Sequence, residues 1–436
     1  MGDSKSTQSR SHKLKVPRHV RNMRKTQSFF DYLTEELLNE ILIRLPYSKE
    51  AIRCKLVCKR WFSLISSHYF VTSFINHRHN KNPPFTLVFH NEQHAQYVEF
   101  HSVQGLSKHV DLRFLSAGWN KSEICLEASC GDLILCSVMN NYMKSSSTMN
   151  YYICNIVTRQ WIALPPAPSG RGHFGENVGF LIEPNSKDNH QYMYLVLRFI
   201  PCGYSEFLIE KFSSEQGKWT KLVVTSPRIL NCWCSTHKIS LIACEKMLFT
   251  TVHETSIIVD CILAFDPFND PAPFLRIIDL PLEARHIGGV CKLGVCQGRL
   301  RFSQIVFLQA SPSRYPSISI WELEDYRTGK WCLVYKKILT NPALRCPLTL
   351  RYDSTDMNPE ICVLAFDPYN ENLVYFLVGY SVVAYNIQTE KVENSSWPSL
   401  LIKLQGSTRE LTTYYGSNVL PLTQNWWPTP VLRQPL

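Results

Sequence analysis

The sequence predicts an α+β multidomain fold, a small helical unit near the N-terminus followed by a large all-β domain of repeated units. Apolar residues recur at helical spacing from about residue 33 to residue 65. Beyond residue 85 the pattern changes to short alternating runs separated by Gly, Asn, Asp and Pro, and tryptophans recur at the ends of strand-turn-strand units. The chain has 436 residues, 45% of them hydrophobic, which is too long for one ordinary core and well inside the range of folded proteins.

The first element spans Phe29 to Pro46. Thr34 is placed to cap a helix whose first turn holds Glu35 and Glu36, where acids meet the positive end of the helix dipole, and Pro46 closes it. Leu37, Leu38, Ile41, Leu42 and Leu45 form one apolar stripe, with Asn39, Glu40 and Arg44 on the remaining face. A second stripe follows in Ile52, Leu56, Val57, Trp61, Leu64 and Ile65, with Lys55, Lys59 and Arg60 turned elsewhere. A unit of about forty residues sits near the lower limit for an independent core, so it is expected to lean on a partner.

The ordered set Leu33, Leu37-Leu38, Ile41-Leu42, Arg44-Leu45-Pro46, Arg53-Cys54-Lys55, Val57-Cys58-Lys59, Trp61 and Leu64-Ile65-Ser66 resembles the F-box, a three-helix motif that docks on a Skp-type adaptor. The resemblance implies that Leu33, Leu37, Ile41, Leu45, Pro46, Cys54, Val57, Trp61, Leu64 and Ile65 lie at or under the adaptor interface, where central apolar residues supply most of the binding energy. Two departures stand out. Thr34 occupies a position where the family usually has proline, and the stretch Tyr47 to Ala51 reads as one residue longer than the common form.

Downstream of the linker Asn80 to Pro84, residues 263 to 269 (Leu-Ala-Phe-Asp-Pro-Phe-Asn) match residues 364 to 370 (Leu-Ala-Phe-Asp-Pro-Tyr-Asn) at an offset of 101. Strand-turn-strand units ending in tryptophan occur at Tyr152 to Trp161, Phe207 to Trp219, Ile318 to Trp331 and Val382 to Trp397, so the tryptophans are 58, 112 and 66 residues apart. A period of about 50 to 58 residues follows, in the range of kelch-like propeller blades. One four-stranded blade cannot cover both of its faces, so blades stack and the ring closes. About six blades are expected, beginning near residues 85, 122, 174, 229, 287 and 345, with residues 409 to 419 as the closing strand.

The segments Gly131 to Cys136, Cys154 to Pro165, Gly298 to Arg301 and Ile320 to Trp331 resemble the F-box-associated domain of plant F-box proteins, which implies a plant source. The expected organisation is a disordered basic tail at 1–28, the F-box at 29–75, a linker at 76–84, the propeller-like domain at 85–420 and a C-terminal tail at 421–436. Trp426-Trp427 in that last segment reads either as a recognition tail for a partner or as packing on the last blade.

The net charge of +10 is uneven: residues 1–28 carry +7 and the remaining 408 residues only +3. The tail reads as solvated disorder, with nuclear import or anion binding as its functional alternative, and no basic face for nucleic acid is expected on the folded part. Sixteen cysteines are scattered without a CxxC pair, and no stretch approaches 18 apolar residues, so reduced thiols, no structural zinc, no membrane span and a cytosolic or nuclear location are expected.

The chain carries no Walker loop, GxSxG, HExxH or GxGxxG at a strand-to-helix turn. His173 and His286 are loop histidines read as turn residues, and the acidic run Glu322, Glu324 and Asp325 reads as a hairpin balanced by Arg327 and Lys330 in preference to a metal site. No cofactor and no catalysis are expected. The two resemblances together imply a substrate-recognition subunit of an SCF-type (Skp-cullin-F-box) ubiquitin ligase, joined through the adaptor to a cullin-RING core, whose β domain holds an unknown target protein. The alternatives are a small-ligand or glycan receptor on a propeller, and a propeller enzyme with a vestigial F-box. Target recognition is expected on loops at either of the two rims or at the central channel mouth, with Asn140 to Asn150, Ser169 to Asn177, Pro184 to Gln191 and Ala310 to Pro316 the longest polar connections.

Overall fold

The computed structural model describes residues 32–90, 97–102, 107–112, 123–139, 149–169, 176–185, 188–230, 241–255, 258–268, 274–307, 315–344, 361–378, 381–393 and 419–431. The basic tail, His173 and Trp397 therefore lie outside the described residues.

Four helices open the fold: α1 (Glu35–Leu42), α2 (Ser48–Cys54), α3 (Lys59–Ser66) and α4 (His68–Asn76). Thr34 is extended and its hydroxyl accepts from the Leu37 amide at 3.4 Å, so the expected cap forms. Helix α1 stops at Leu42, a turn earlier than Pro46 requires, and the stretch from Ser48 onward is the first turn of α2 and not a lengthened loop. The fourth helix corrects the three-helix expectation. Ser67 starts it by accepting from the Phe70 amide at 3.1 Å, and Phe70 and Phe74 join Leu38, Leu42, Ala51, Leu64 and Ile65 in the helical core.

The β domain is a large propeller. Among the described residues it comprises six four-stranded antiparallel sheets. Blade 1 holds β1 (Phe85–His90), β2 (Tyr97–Ser102) and β3 (Ser107–Asp111), with the last strand of the chain, β24 (Val419–Thr423), on its inner edge. Blade 2 holds β4 (Glu123–Cys130), β5 (Leu133–Met139), β6 (Met149–Asn155) and β7 (Gln160–Ala163). Blade 3 holds β8 (Asn177–Asn185), β9 (Asp188–Pro201), β10 (Glu206–Ser213) and β11 (Lys218–Thr225). Blade 4 holds β12 (Ile242–Cys244), β13 (Met247–His253), β14 (Val259–Asp266) and β15 (Phe274–Asp279). Blade 5 holds β16 (Val290–Cys296), β17 (Arg299–Phe307), β18 (Pro316–Asp325) and β19 (Lys330–Ile338). Blade 6 holds β20 (Ile361–Phe366), β21 (Leu373–Val378), β22 (Ser381–Asn386) and β23 (Lys391–Val392).

The inner strands β24, β4, β8, β12, β16 and β20 contact one another in sequence around the ring. Strand β24 closes it by pairing with β1, Phe85 opposite Thr423 and Phe89 opposite Val419. The closing strand thus lies later than the expected 409 to 419, whose residues 409–418 are outside the described set. Closure leaves only short inner edges facing the axis and buries apolar faces between blades. Leu422 and Leu420 pack with Ile134 and Val138 of blade 2, and Phe85 and Leu87 pack with Tyr375 and Leu377 of blade 6.

Trp161, Trp219 and Trp331 sit on the outermost strands β7, β11 and β19. The indole N–H of Trp219 donates to the Pro165 carbonyl at 2.8 Å, and that of Trp331 to the Asp279 carbonyl at 2.9 Å. In both cases the tryptophan ties its blade to the connection entering from the blade before. Strand β15, the outer strand of blade 4, has the sequence Phe-Leu-Arg-Ile-Ile-Asp and no tryptophan, which accounts for the double interval between Trp219 and Trp331.

The repeated Leu-Ala-Phe-Asp-Pro segments are not equivalent blade positions. The first ends β14, a third strand, and the second ends β20, a first strand. What they share is the way a strand stops. Asp266 Oδ1 accepts from the Phe268 amide at 3.0 Å, and Asp367 Oδ1 accepts from the Tyr369 and Asn370 amides at 2.9 Å.

Antiparallel alternation sorts the connections between two rims. The helices enter β1 and the C-terminal segment leaves β24 on the same rim, since the Gln424 amide donates to the Pro84 carbonyl at 2.9 Å. Turns after the first and third strands of each blade fall on this near rim, and none there exceeds seven residues. Connections after second and fourth strands fall on the far rim, and every connection of eight residues or more lies there.

Candidate functional site

Two surfaces emerge, one on the helical module and one on the far rim. On the module, Leu37 and Ile41 lie one turn apart on the same face of α1 and are 53% and 45% exposed. Val57 is 62% exposed in the corner between α2 and α3, and Pro46 is exposed in the corner between α1 and α2. Leu33, Leu45, Cys54 and Trp61 are partly buried, with Leu45, Cys54 and Trp61 packed against the helical core. Leu64 and Ile65 are inside that core and lie under the exposed face instead of on it.

The helical spacing did not single out Tyr32, Phe62, Tyr69 and Ile75, and it placed Leu56 in a stripe without marking it as surface. All five are exposed. Open apolar surface of this extent on so small a module is unusual. Arg60 fixes the approach to α1, its guanidinium donating to the Leu33 carbonyl.

The far rim is built on buried charge. Arg198 of β9 lies opposite Glu210 of β10 and is fully buried. Its Nε donates to Glu176 Oε1 at 2.6 Å, while Nη1 donates to the Ser169 carbonyl at 2.8 Å and to Glu210 Oε2. Glu210 Oε1 accepts from the Ser169 amide at 2.9 Å and lies 3.3 Å from Lys221 Nζ. The Tyr151 hydroxyl donates to Glu176 at 3.2 Å, and burial together with the Glu176 charge pushes that phenol well above its ordinary range. Ser169 and Glu176 are the two described ends of the connection from blade 2 to blade 3, so this network anchors the loop at both feet. The alternation of β9 and β10 gave no hint of it, because Arg198 and Glu210 occupy core positions that are usually apolar.

A second cluster lies around Asp279. Arg228 Nη1 reaches Asp279 Oδ1 at 2.9 Å, Arg285 Nη2 is 3.5 Å from Oδ2, and Arg228 Nη2 is 3.5 Å from Asp260. Beside it a groove of about 490 Å³ runs between blades 4 and 5, lined among others by Arg276, Leu282, Glu283, Trp331 and Leu333, with Leu282 itself 82% exposed.

Of the four polar connections considered from sequence, Asn140 to Asn150, Ser169 to Asn177 and Ala310 to Pro316 open onto the far rim, although residues 140–148, 170–175 and 310–314 lie outside the described residues. Pro184 to Gln191 does not. It spans the tight hairpin between β8 and β9 on the near rim.

The acidic run is engaged by cations. Glu322 accepts from Arg299 at 2.8 Å and from Arg301 at 3.0 Å, Glu324 meets Lys330 at 2.5 Å, and Asp325 accepts from the Arg327 amide and the Thr328 hydroxyl. His286 adopts a left-handed conformation, φ 56°, with its side chain 80% exposed and 3.8 Å from Glu254. Among the described residues no three His, Cys, Asp or Glu side chains gather as metal ligands, the cysteines are free thiols, and no helix is long and apolar enough to cross a membrane.

Comparison with known proteins agrees with this architecture. Residues 30–73 match the F-box domain, and residues 85–416 match the β-propeller of F-box proteins similar to At3g26010. The chain is 25% identical over 261 residues to the F-box protein At3g26010 of Arabidopsis thaliana, spanning 58% of this chain and 56% of that one. It is 26% identical over 313 residues to the Arabidopsis F-box protein At5g49610, spanning 69% and 77%. It is also 23% identical over 238 residues to the Arabidopsis F-box/kelch-repeat protein At3g61590, spanning 53% and 54%. Among solved structures, an apocarotenoid oxygenase of Synechocystis aligns with 70% of this chain and 68% of its own at 9% identity, with a TM-score of 0.35. The chain belongs to the F-box proteins that carry an At3g26010-like β-propeller.

Proposed function

We propose that this chain is the target-recognition subunit of an SCF-type ubiquitin ligase. The helical module holds a Skp-type adaptor, and through it a cullin-RING core, while the far rim of the propeller holds the target protein. The observation that carries the reading is the separation of the two surfaces. The exposed apolar face of Leu37, Ile41 and Val57 belongs to a module joined to the near rim, and all the long connections open on the other rim.

Such an arrangement performs no bond chemistry of its own. It raises the local concentration of a target near a ubiquitin-charged partner, and proximity is a sufficient source of rate. Arg198 and Asp279 fit this role as positioning residues for far-rim connections, and the groove beside Leu282 offers a recess for a target side chain. A cytosolic or nuclear location completes the proposal.

The test is co-purification under mild conditions of the full chain and of a Leu37→Asp, Ile41→Asp double variant. The parent is expected to bring down a Skp-type adaptor and a cullin, and the variant neither. Absence of both from the parent would overturn the reading.

A further inference from the structure

The helical module does not finish its own core. Trp427, 351 residues after the end of α4 at Asn76 and one of the pair whose role the sequence left open, packs into it. Its ring meets Phe70 at 5.8 Å and Phe74 at 5.4 Å, both edge-on at 71°, and the Lys55 ammonium lies 5.7 Å from the same ring. These contacts are to the helices and not to the last blade.

Trp426 takes a second route. Its indole N–H donates to the Lys81 carbonyl at 3.3 Å, and its ring lies 5.5 Å from the guanidinium of Arg78. Arg78 is buried, sits 3.6 Å over Phe74, and donates to the Phe74 carbonyl at 2.8 Å and to the Leu45 carbonyl. Leu45 and Pro46 form the corner between α1 and α2. A continuous set of contacts therefore joins the C-terminus to a corner of the docking face.

The propeller holds this pair from both sides. Before it, Asn425 Nδ2 is 3.4 Å from Asp132 Oδ1; after it, the Thr429 amide donates to Asp132 Oδ2 at 2.8 Å. Asn155 Nδ2 donates to Asp132 at 2.9 Å and to the Thr429 carbonyl at 3.2 Å, and the Tyr194 hydroxyl donates to the Pro430 carbonyl at 2.9 Å. Asp132, Asn155 and Thr429 are all buried, and Val431 enters the core between blades 2 and 3. One indole thus enters the helical core while the other lies beside Arg78 at its edge, and both are projected from a segment held on the propeller.

We propose that the Trp426-Trp427 plug is a working part of the adaptor-docking module. It completes the core under α4, holds the α1–α2 corner through Arg78, and so makes adaptor affinity depend on the C-terminal segment being seated on blade 2. The proposal rests on the reading of the module as an adaptor-binding F-box.

The experiment compares the full chain with Trp427→Ala, Trp427→Phe and Asp132→Ala, using amide hydrogen exchange in the free protein and titration with a purified Skp-type adaptor. Trp427→Ala is expected to raise exchange in residues 44–78 and to weaken adaptor binding roughly tenfold, with the strands of blades 4 to 6 unchanged. Trp427→Phe keeps an edge-on ring and retains most of both. Asp132→Ala leaves both indoles intact but unseats them, and shifts both readouts in the direction of Trp427→Ala. Unchanged exchange in residues 44–78 for Trp427→Ala and Asp132→Ala overturns the proposal, as does faster exchange with unchanged affinity. Where Trp427→Ala loses the propeller strands as well, the other two variants decide, and the proposal fails unless their changes stay within the helical module. Failure of the parent itself to bind adaptor marks the failure of the F-box reading, and is distinguished by the exchange arm, which needs no adaptor.

Discussion

The propeller and the helical module solve the same problem in opposite ways. The propeller closes on itself, and each inner strand has neighbours on both sides. The module is open. Of the eighteen large apolar side chains exposed among the described residues, eight lie between Tyr32 and Ile75, a stretch that is a small part of the chain. A ring can satisfy its faces by repetition, whereas a bundle of short helices has too little volume to cover its own surface. The module takes one indole from the C-terminus and leaves a face for a partner. Apolar burial is thus concentrated in one region and open apolar surface in the other.

Arg198 gives the largest expected effect on the propeller side of that contrast. Replacing it with alanine leaves Glu176 and Glu210 without their shared buried cation, a change of the kind that costs about 3–5 kcal/mol. Equilibrium denaturation of Arg198→Ala should show that loss, with the connection anchored at Ser169 and Glu176 becoming protease-sensitive. A loss of less than about 1 kcal/mol would mean that water relieves the two carboxylates and that the network is not structural.

On the module side the expected effect is on binding. Leu37→Ala with Ile41→Ala removes two exposed side chains, so melting temperature should hardly move, while adaptor affinity measured by titration should fall by about 2 kcal/mol. The reverse outcome, a clear drop in melting temperature with adaptor affinity intact, would show that these residues serve the module's own packing and would erase the contrast.

How far the sequence reveals each region depends on how local the cause is. Thr34, the first-turn acids and the apolar stripe specify α1 within one stretch of chain, and the tryptophans on β7, β11 and β19 mark blades because they recur on outermost strands, where those of β11 and β19 bond the connection entering from the blade before. The fourth helix was missed although Ser67 caps it, because its partner Trp427 is remote in sequence. Arg198 and Asp132 were missed for the same reason: a buried charge is recognised only once its partners are known, and theirs come from other strands or from the C-terminus. The repeat at an offset of 101 misled in the other direction. Its resemblance records two similar strand-ending turns, Asp266 and Asp367, and says nothing of blade spacing.

A smaller effect tests whether the propeller's inner strands tolerate charge. Lys292 of β16 is half-buried and near Cys362 of blade 6, and burial lowers its ammonium to about 8. In the unfolded chain a lysine titrates near about 10.4. Between those values the unfolded state binds more protons, so stability should rise with pH from about 8 to about 10 through this group. Lys292→Met should flatten that rise and stabilise the protein at pH 7 by on the order of 1 kcal/mol. Denaturation midpoints across that range give the answer, and a profile with the same slope in parent and variant would mean that solvent reaches the ammonium in the fold.

The smallest expected effect concerns Thr34, where this chain departs from the proline usual in the family. Thr34 has φ −67° and ψ 163°, and its hydroxyl accepts from Leu37 across 3.4 Å, a long bond at an exposed helix start. The value of φ is the one a proline ring imposes, so threonine reaches by a hydrogen bond the conformation that proline reaches by covalent constraint. Thr34→Ala loses the cap and should cost about 0.5–1 kcal/mol, seen as faster amide exchange at the start of α1 with the propeller unaffected. Thr34→Pro gives up the same hydrogen bond but narrows the unfolded ensemble, which is worth about 0.4–1 kcal/mol at a compatible position, so it should exchange like the parent. If proline frays α1 as much as alanine does, the backbone at Leu33 and Thr34 is held by the hydroxyl and by Arg60 on the Leu33 carbonyl in a way a ring cannot replace, and the departure from the family pattern is then a local solution specific to this chain.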